Sequence, residues 1–176
     1  LAVMLMKISN DLRWMNSGPL AGLAEIELKA LQPGSSIMPG KINPVIPEAV
    51  LMAAAQVTGN HSTINLSCVS GTFQLNTMLP IIAHNVIESF NILISSVVAV
   101  TETVDTLTVN HASIKESLDR NPIIATKLNE VIGYDKAAQI VKEAYKTNKP
   151  ILEVAESMTN LSRAQLQKLL DPKKLV

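Results

Sequence analysis

Between Pro80 and Val104 apolar side chains recur at three and four residues, at Ile87, Phe90, Ile94 and Val97, while the opposite face offers only Glu88, Asn91 and small residues. A long helix with so little charge is built for the middle of a bundle or of an oligomer rather than for a surface. That requirement commits the chain to packing helix on helix. Two further segments agree with it. Glu48 to Val57 is almost wholly apolar and follows Pro44 and Pro47, which a first helical turn tolerates. Leu1 to Met15 carries Leu5, Ile8, Leu12 and Met15 on one stripe and stops at Ser17-Gly18-Pro19. Because Leu1 follows no methionine, cap or polar lead-in, the segment reads as the interior of a cut helix. The expectation is a carboxyl-terminal piece of a longer protein, with no signal peptide at its start. Thr58-Gly59-Asn60 reads as a break or kink, the Ser/Thr/Asn-rich stretch to Gly71 carries no clear period, and Leu20 to Gln32 reads as irregular.

Composition shifts near Asn110, where we place a boundary. Residues 1–109 read as part of a long central helix bundle and 110–176 as a small carboxyl-terminal helical domain. In the second part short helices with ordinary charged faces are expected over 113–118, 122–131, 135–146, 151–158 and 162–170. Gly133 and Asn148-Lys149-Pro150 mark junctions, and Ser162-Arg163-Ala164-Gln165 has the spacing of a capping box. No strand-like alternation competes, so the fold class is all-α.

The 47% apolar and 17% charged content excludes disorder and supplies a sizeable core. Fifteen basic residues balance fifteen acidic ones, and the only basic pair is Lys173-Lys174, which argues against a nucleic-acid partner. The single cysteine, Cys68, excludes an internal disulfide and reads as a small core residue. The longest apolar candidate, Ile92 to Val100, is already interrupted by Ser95 and Ser96 and falls far short of the roughly 18 residues of a membrane span. A soluble chain with no membrane partner is expected, with the cytoplasm as the default location.

The chemistry concentrates in Gly34-Ser35-Ser36-Ile37-Met38-Pro39-Gly40-Lys41-Ile42-Asn43-Pro44. Two glycines and two prolines restrict a tight turn that carries two hydroxyls, an ammonium and a carboxamide. Followed by a helix start, Lys41 and Asn43 suit a carboxylate. If a proton leaves the carbon beside that carboxylate, charge flows into it, and donors placed in advance lower the barrier by several kcal/mol in comparable sites. Ser35 or Ser36 would be the base, with its alkoxide stabilised by the same donors. The loop is not a phosphate-binding motif, because Lys41 is not followed by Ser or Thr. Spacing alone favours a turn and a helix cap over a catalytic loop.

The same eleven residues resemble the signature of the fumarase/aspartase superfamily, which needs Gly-Ser, then Met, Lys and Asn at these intervals. The likeness extends to Lys7-Ile8-Ser9-Asn10-Asp11-Leu12-Arg13-Trp14, Ser17-Gly18-Pro19, Gln74-Leu75-Asn76 and Ile132-Gly133-Tyr134-Asp135-Lys136-Ala137-Ala138, essentially the whole chain. Pro39-Gly40-Lys41 and the Gly-Tyr-Asp-Lys-Ala-Ala run resemble class II fumarases. Pro44-Val45-Ile46-Pro47-Glu48 and Gln74 also occur in an aspartase-like style, which makes aspartase the second choice.

The resemblance implies reversible anti elimination of water from (S)-malate to give fumarate, with no metal or organic cofactor. It gives Ser35 the role of catalytic base, Lys41 and Asn43 the carboxylate that gains aci character, Ser36 and the backbone of Ile42 a place beside them, and Glu48 the support of a catalytic histidine from a neighbouring subunit. His61, His84 and His111 do not match that histidine and read as surface or packing residues. Family members are homotetramers that build each active site from three subunits around a core of long apolar helices. This chain would supply one of those three segments and be inactive alone. A helical association module, or a paralogue that keeps the loop only for packing, is the rival from another class.

Overall fold

The computed structural model describes residues 1–34, 38 and 40–175. Among the described residues it is all-α apart from a two-residue strand pairing and an isolated bridge between Thr72 and Leu75, and it divides into two compact units, Leu1–Asn110 and His111–Val176.

The first unit is a layer of three helices: α1 (Ala2–Met15), α2 (Val45–Val69) and α3 (Leu79–Thr106), with α2 packed on both of the others. Leu5, Val50 and Val100 form its small core, flanked by Ile46 and Leu93. On α1 the buried face is Leu5, Ser9 and Leu12, while Ile8 is exposed and Met15 half-buried. The expected stripe is therefore rotated, because a helix buries positions i, i+4 and i+7 about their common centre and leaves i+3 at its edge.

Where a break was expected at Thr58-Gly59-Asn60, α2 runs straight through to Val69. The hydroxyls of this stretch bond back along the helix: Thr58 donates to the Ala54 carbonyl at 2.9 Å, Ser62 to Thr58 at 3.3 Å, Thr63 to Gly59 at 3.3 Å and Ser67 to Thr63 at 2.8 Å. Such bonds occupy the side chains that would otherwise compete with the backbone in turns. Cys68 is exposed, not a core residue, because its neighbour Ser67 takes the inward position.

The seam between α2 and α3 is polar. Asn60, 3% exposed, accepts from Gln56 Nε2 at 2.8 Å and donates to Glu88 Oε2 at 2.8 Å and Ser89 Oγ at 3.2 Å. Asn85, Ser96 and Thr103 are buried on the same side of α3. The apolar stripe faces out, with Ile87, Phe90 and Ile94 each more than 60% exposed. Met52, Leu66 and Val69 of α2 are likewise exposed. Among the described residues α3 alone is long and apolar enough by composition to cross a membrane, which counting uninterrupted runs had missed. Its bonded polar seam with α2 accounts for the other face.

Between α1 and α2 the chain folds back over the end of α1. Ser17 Oγ donates to the Trp14 carbonyl at 2.6 Å and accepts from Leu23 N–H at 3.1 Å, Glu25 N–H reaches the Met15 carbonyl at 2.8 Å, and Leu28 N–H reaches Asn16 Oδ1 at 2.9 Å. Here β1 (Ile26–Glu27) pairs antiparallel with β2 (Thr108–Val109), Ile26 opposite Val109. Two residues carry no period, so no sequence pattern announces them.

The second unit contains α4 (His111–Arg120), a 3₁₀ segment (Pro122–Leu128), α5 (Asn129–Ile132), α6 (Tyr134–Thr147), α7 (Ile151–Met158), α8 (Arg163–Leu169) and a final 3₁₀ turn, Pro172–Lys174. The helix expected over 122–131 is split, with Asn121 Oδ1 capping its start by accepting from Ile123 N–H at 3.0 Å. The capping box is present: Ser162 Oγ accepts from Gln165 N–H, and Gln165 Oε1 accepts from Ser162 N–H at 2.9 Å. Leu128, Ile140, Ile151 and Leu166 fill the core completely enclosed.

Gly22 packs against the chain just beyond α1: a Cβ there would lie 2.3 Å from the Ser17 carbonyl carbon and oxygen. Gly22→Ala must displace backbone, so it should cost about 1–3 kcal/mol, the range for overpacking. Urea denaturation of the whole protein measures this, and an unchanged midpoint would show that the return segment is not held against α1.

Candidate active site

The signature loop leads into α2, and its described part is Gly34, Met38 and Gly40 to Pro44. Ser35 and Ser36, the expected base and its neighbour, lie outside the described residues. Gly40 has φ +79°, a left-handed conformation that glycine adopts without cost, and it delivers Lys41, whose N–H donates to the Met38 carbonyl at 3.2 Å. Asn43 then turns the chain into the helix, its carbonyl accepting from Val45 N–H at 2.9 Å, and Glu48 N–H bonds the Pro44 carbonyl at 3.1 Å.

The loop faces the end of α1. A cleft of about 470 Å³ is lined by Arg13, Trp14, Ser17, Lys41, Asn43 and Glu48, with Ile42 beside them. A second cleft of about 510 Å³ lies on the other side of Lys41 and Ile42, against Glu27, Leu28 and Asn110. Lys41 and Ile42 are exposed, whereas Asn43 and Glu48 are half-buried. Among the described residues the Lys41 ammonium, the Asn43 carboxamide and the Glu48 carboxylate have no hydrogen-bond or ion-pair partner. Two cations and one carboxylate on a wall of this size suit a small anion, with the Asn43 amide setting its orientation.

Of the residues singled out in the sequence, the fold thus brings Lys41, Ile42, Asn43 and Glu48 to one cleft. His61, His84 and His111 are exposed and none lines it. Among the described residues no group of His, Cys, Asp and Glu is arranged to hold a metal ion. Arg13, Trp14 and Ser17 were not expected in the site. Their signal was present only as part of the runs that carried the resemblance, and nothing in helix spacing says that the end of α1 meets a loop some twenty-five residues later in the chain.

The chain has known relatives. Residues 1–59 match a family model described as "Lyase" and residues 124–176 one described as "Fumarase C C-terminus". The chain is 57% identical over 99% of its length to the class II fumarate hydratase 2 of Pseudomonas aeruginosa. Over 99% of its length the chain is thus similar to class II fumarases. It is also 43% identical, over 99% of its length, to the class II fumarate hydratase of Thermus thermophilus. It spans 38% of the length of both relatives. Among solved structures, a fumarate lyase of Brucella melitensis matches with a TM-score of 0.93 at 42% identity, covering 99% of this chain and 38% of that one. A class II fumarase of Schistosoma mansoni matches with a TM-score of 0.85 at 36% identity, covering 98% of this chain and 36% of that one. The all-α fold expected of the family is the fold of this chain.

Gly40→Ala should disturb this site selectively. No atom lies within 4 Å of the added Cβ, so the penalty is backbone strain of about 1–3 kcal/mol, relieved by moving Lys41 and Asn43. Binding of a small carboxylate anion, probed with succinate on the whole protein, should weaken about tenfold while the melting temperature moves little. Isothermal titration measures this, and unchanged affinity would show that the turn does not position the ligand.

Proposed function

We propose that this chain is one part of a fumarate hydratase that interconverts fumarate and (S)-malate, and that it supplies one of three segments that together make each active site. The observation that carries the reading is the convergence of Lys41, Asn43 and Glu48 on one cleft, on the signature loop of a chain 57% identical to a class II fumarate hydratase.

Starting from malate, Ser35 as its alkoxide accepts the proton from the carbon adjacent to one carboxylate. The C–H electron pair moves into that group and makes an aci-carboxylate with two anionic oxygens. Lys41 offers a compact positive charge to this group and Asn43 two amide donors, both in place before the charge develops. The pair then returns to form the carbon–carbon double bond as the C–O bond to the hydroxyl breaks. The departing oxygen takes a proton from the histidine end of the site and leaves as water, and Ser35 later gives its proton up to solvent. Glu48 holds the histidine that a neighbouring subunit contributes to that end of the substrate.

A homotetramer follows from the same reading. The outward stripes Ile87, Phe90 and Ile94 of α3 and Met52, Leu66 and Val69 of α2 give each chain apolar surface that copies can bury together. Residues 1–109 would belong to that central bundle and 110–176 to the small carboxyl-terminal domain. The 176-residue chain alone should then show no fumarate hydration near the activity of the whole protein.

Ser35→Ala in the whole protein should lower kcat about a hundredfold or more, the scale of losing a positioned base. Following fumarate absorbance with malate and with aspartate tests both parts of the reading. Turnover of aspartate in place of malate would move the chain to an ammonia-lyase, and an unchanged kcat in Ser35→Ala would remove the serine from the mechanism.

A further inference from the structure

We propose that Arg13 is the second cation of this site, sharing with Lys41 the charge that the reacting carboxylate acquires; the proposal rests on the dicarboxylate lyase reading of the cleft. When the carbon acid loses its proton, the adjacent carboxylate goes from one negative charge to two. A single ammonium matches only the charge that was there at the start. A charge that develops during the step is stabilised most by a cation already fixed nearby in a space with little water.

Arg13 is placed and tethered as such a cation would be. It stands in the last turn of α1 and lines the same cleft as Lys41, Asn43 and Glu48. It is half-buried, and among the described residues it makes no ion pair. Its one side-chain hydrogen bond there goes to Asn10 Oδ1 at 3.3 Å, one turn back on α1. That contact ties the guanidinium down through one of its five N–H groups and leaves the others for a ligand. Among the described residues Glu48 is the single acidic group lining the cleft, so the two cations are not cancelled. The plain alternative is that Arg13 merely complements the carbonyl end of α1, as basic residues in a last turn do. A helix-end role acts on stability and is blind to the charge state of a bound ligand.

The experiment compares Arg13→Gln, Arg13→Lys and Lys41→Ala in the whole protein. Two ligands are used: succinate, which mimics the ground state, and a nitronate analogue of malate, whose two anionic oxygens on a planar centre mimic the aci-carboxylate. Arg13→Gln should lower kcat about tenfold or more with KM for fumarate changed less than about threefold, as expected when an interaction made mainly in the transition state is lost. It should weaken nitronate binding about tenfold or more and succinate binding less than about threefold, and Arg13→Lys should recover most of both losses. Arg13→Gln with kcat and the nitronate-to-succinate affinity ratio unchanged overturns the proposal. Equal weakening of both ligands together with a lowered melting temperature also overturns it, in favour of the helix-end role. The dicarboxylate reading fails separately, if Lys41→Ala leaves turnover and nitronate affinity intact.

Discussion

The polar seam between α2 and α3 is the constraint on which the rest of the first unit depends. Asn60 lies buried between the two helices with its carboxamide bonded to Gln56, Glu88 and Ser89. A buried amide without partners would cost about 1–3 kcal/mol for each unmet group, so these bonds fix both the register and the rotation of the pair. Once α3 is turned to give Glu88, Ser89 and Asn85 to α2, its stripe of Ile87, Phe90 and Ile94 has nowhere to go but outward. Apart from Val100 and Leu93, which join the small core, the helix thus spends polar groups inside the chain and turns its apolar stripe outward. This inverts the usual arrangement of a surface helix and makes sense for an element whose full burial requires more than this chain.

The same rotation serves the site. With α2 held on one side by α3 and on the other by α1, its first turns present Asn43 and Glu48 to the end of α1. The return segment closed by Ser17, Glu25 and Leu28 keeps that end in place, and β1 and β2 tie it to the end of α3 through Asn110 N–H, which bonds the Glu25 carbonyl at 2.9 Å. The cleft is therefore built from rigid helix ends and one short loop. On the proposed reaction such walls are an advantage, because the donors need not reorganise when the charge arrives.

Much of the architecture was legible in the chain. The 3.6-residue period gave α1, α3, α6 and α7 nearly to their ends, and the Ser162 capping box fixed the start of α8, because periodicity and local capping act over a few residues. The continuation of α2 through Thr58-Gly59-Asn60 was not legible. Its polar stretch suits a turn in isolation, and only the bond of Asn60 to α3 and the back-bonded hydroxyls make the helix the better state. Cys68 misled for a related reason, since its small apolar character says nothing of which side of α2 faces a neighbour.

The sequence by itself determined the all-α class, the order of the helices, the turn chemistry of residues 34–44 and, through that motif, the family resemblance. Those properties rest on period, caps and residue identity, all of which are local. Only the tertiary structure decided which faces are buried and which side chains share the cleft. Arg13, Lys41 and Glu48 lie on three separate segments, and their meeting depends on how helices rotate against one another. That rotation follows from side chains distant in the chain, Asn60 and Glu88 foremost, and no local pattern encodes a contact between residues so far apart.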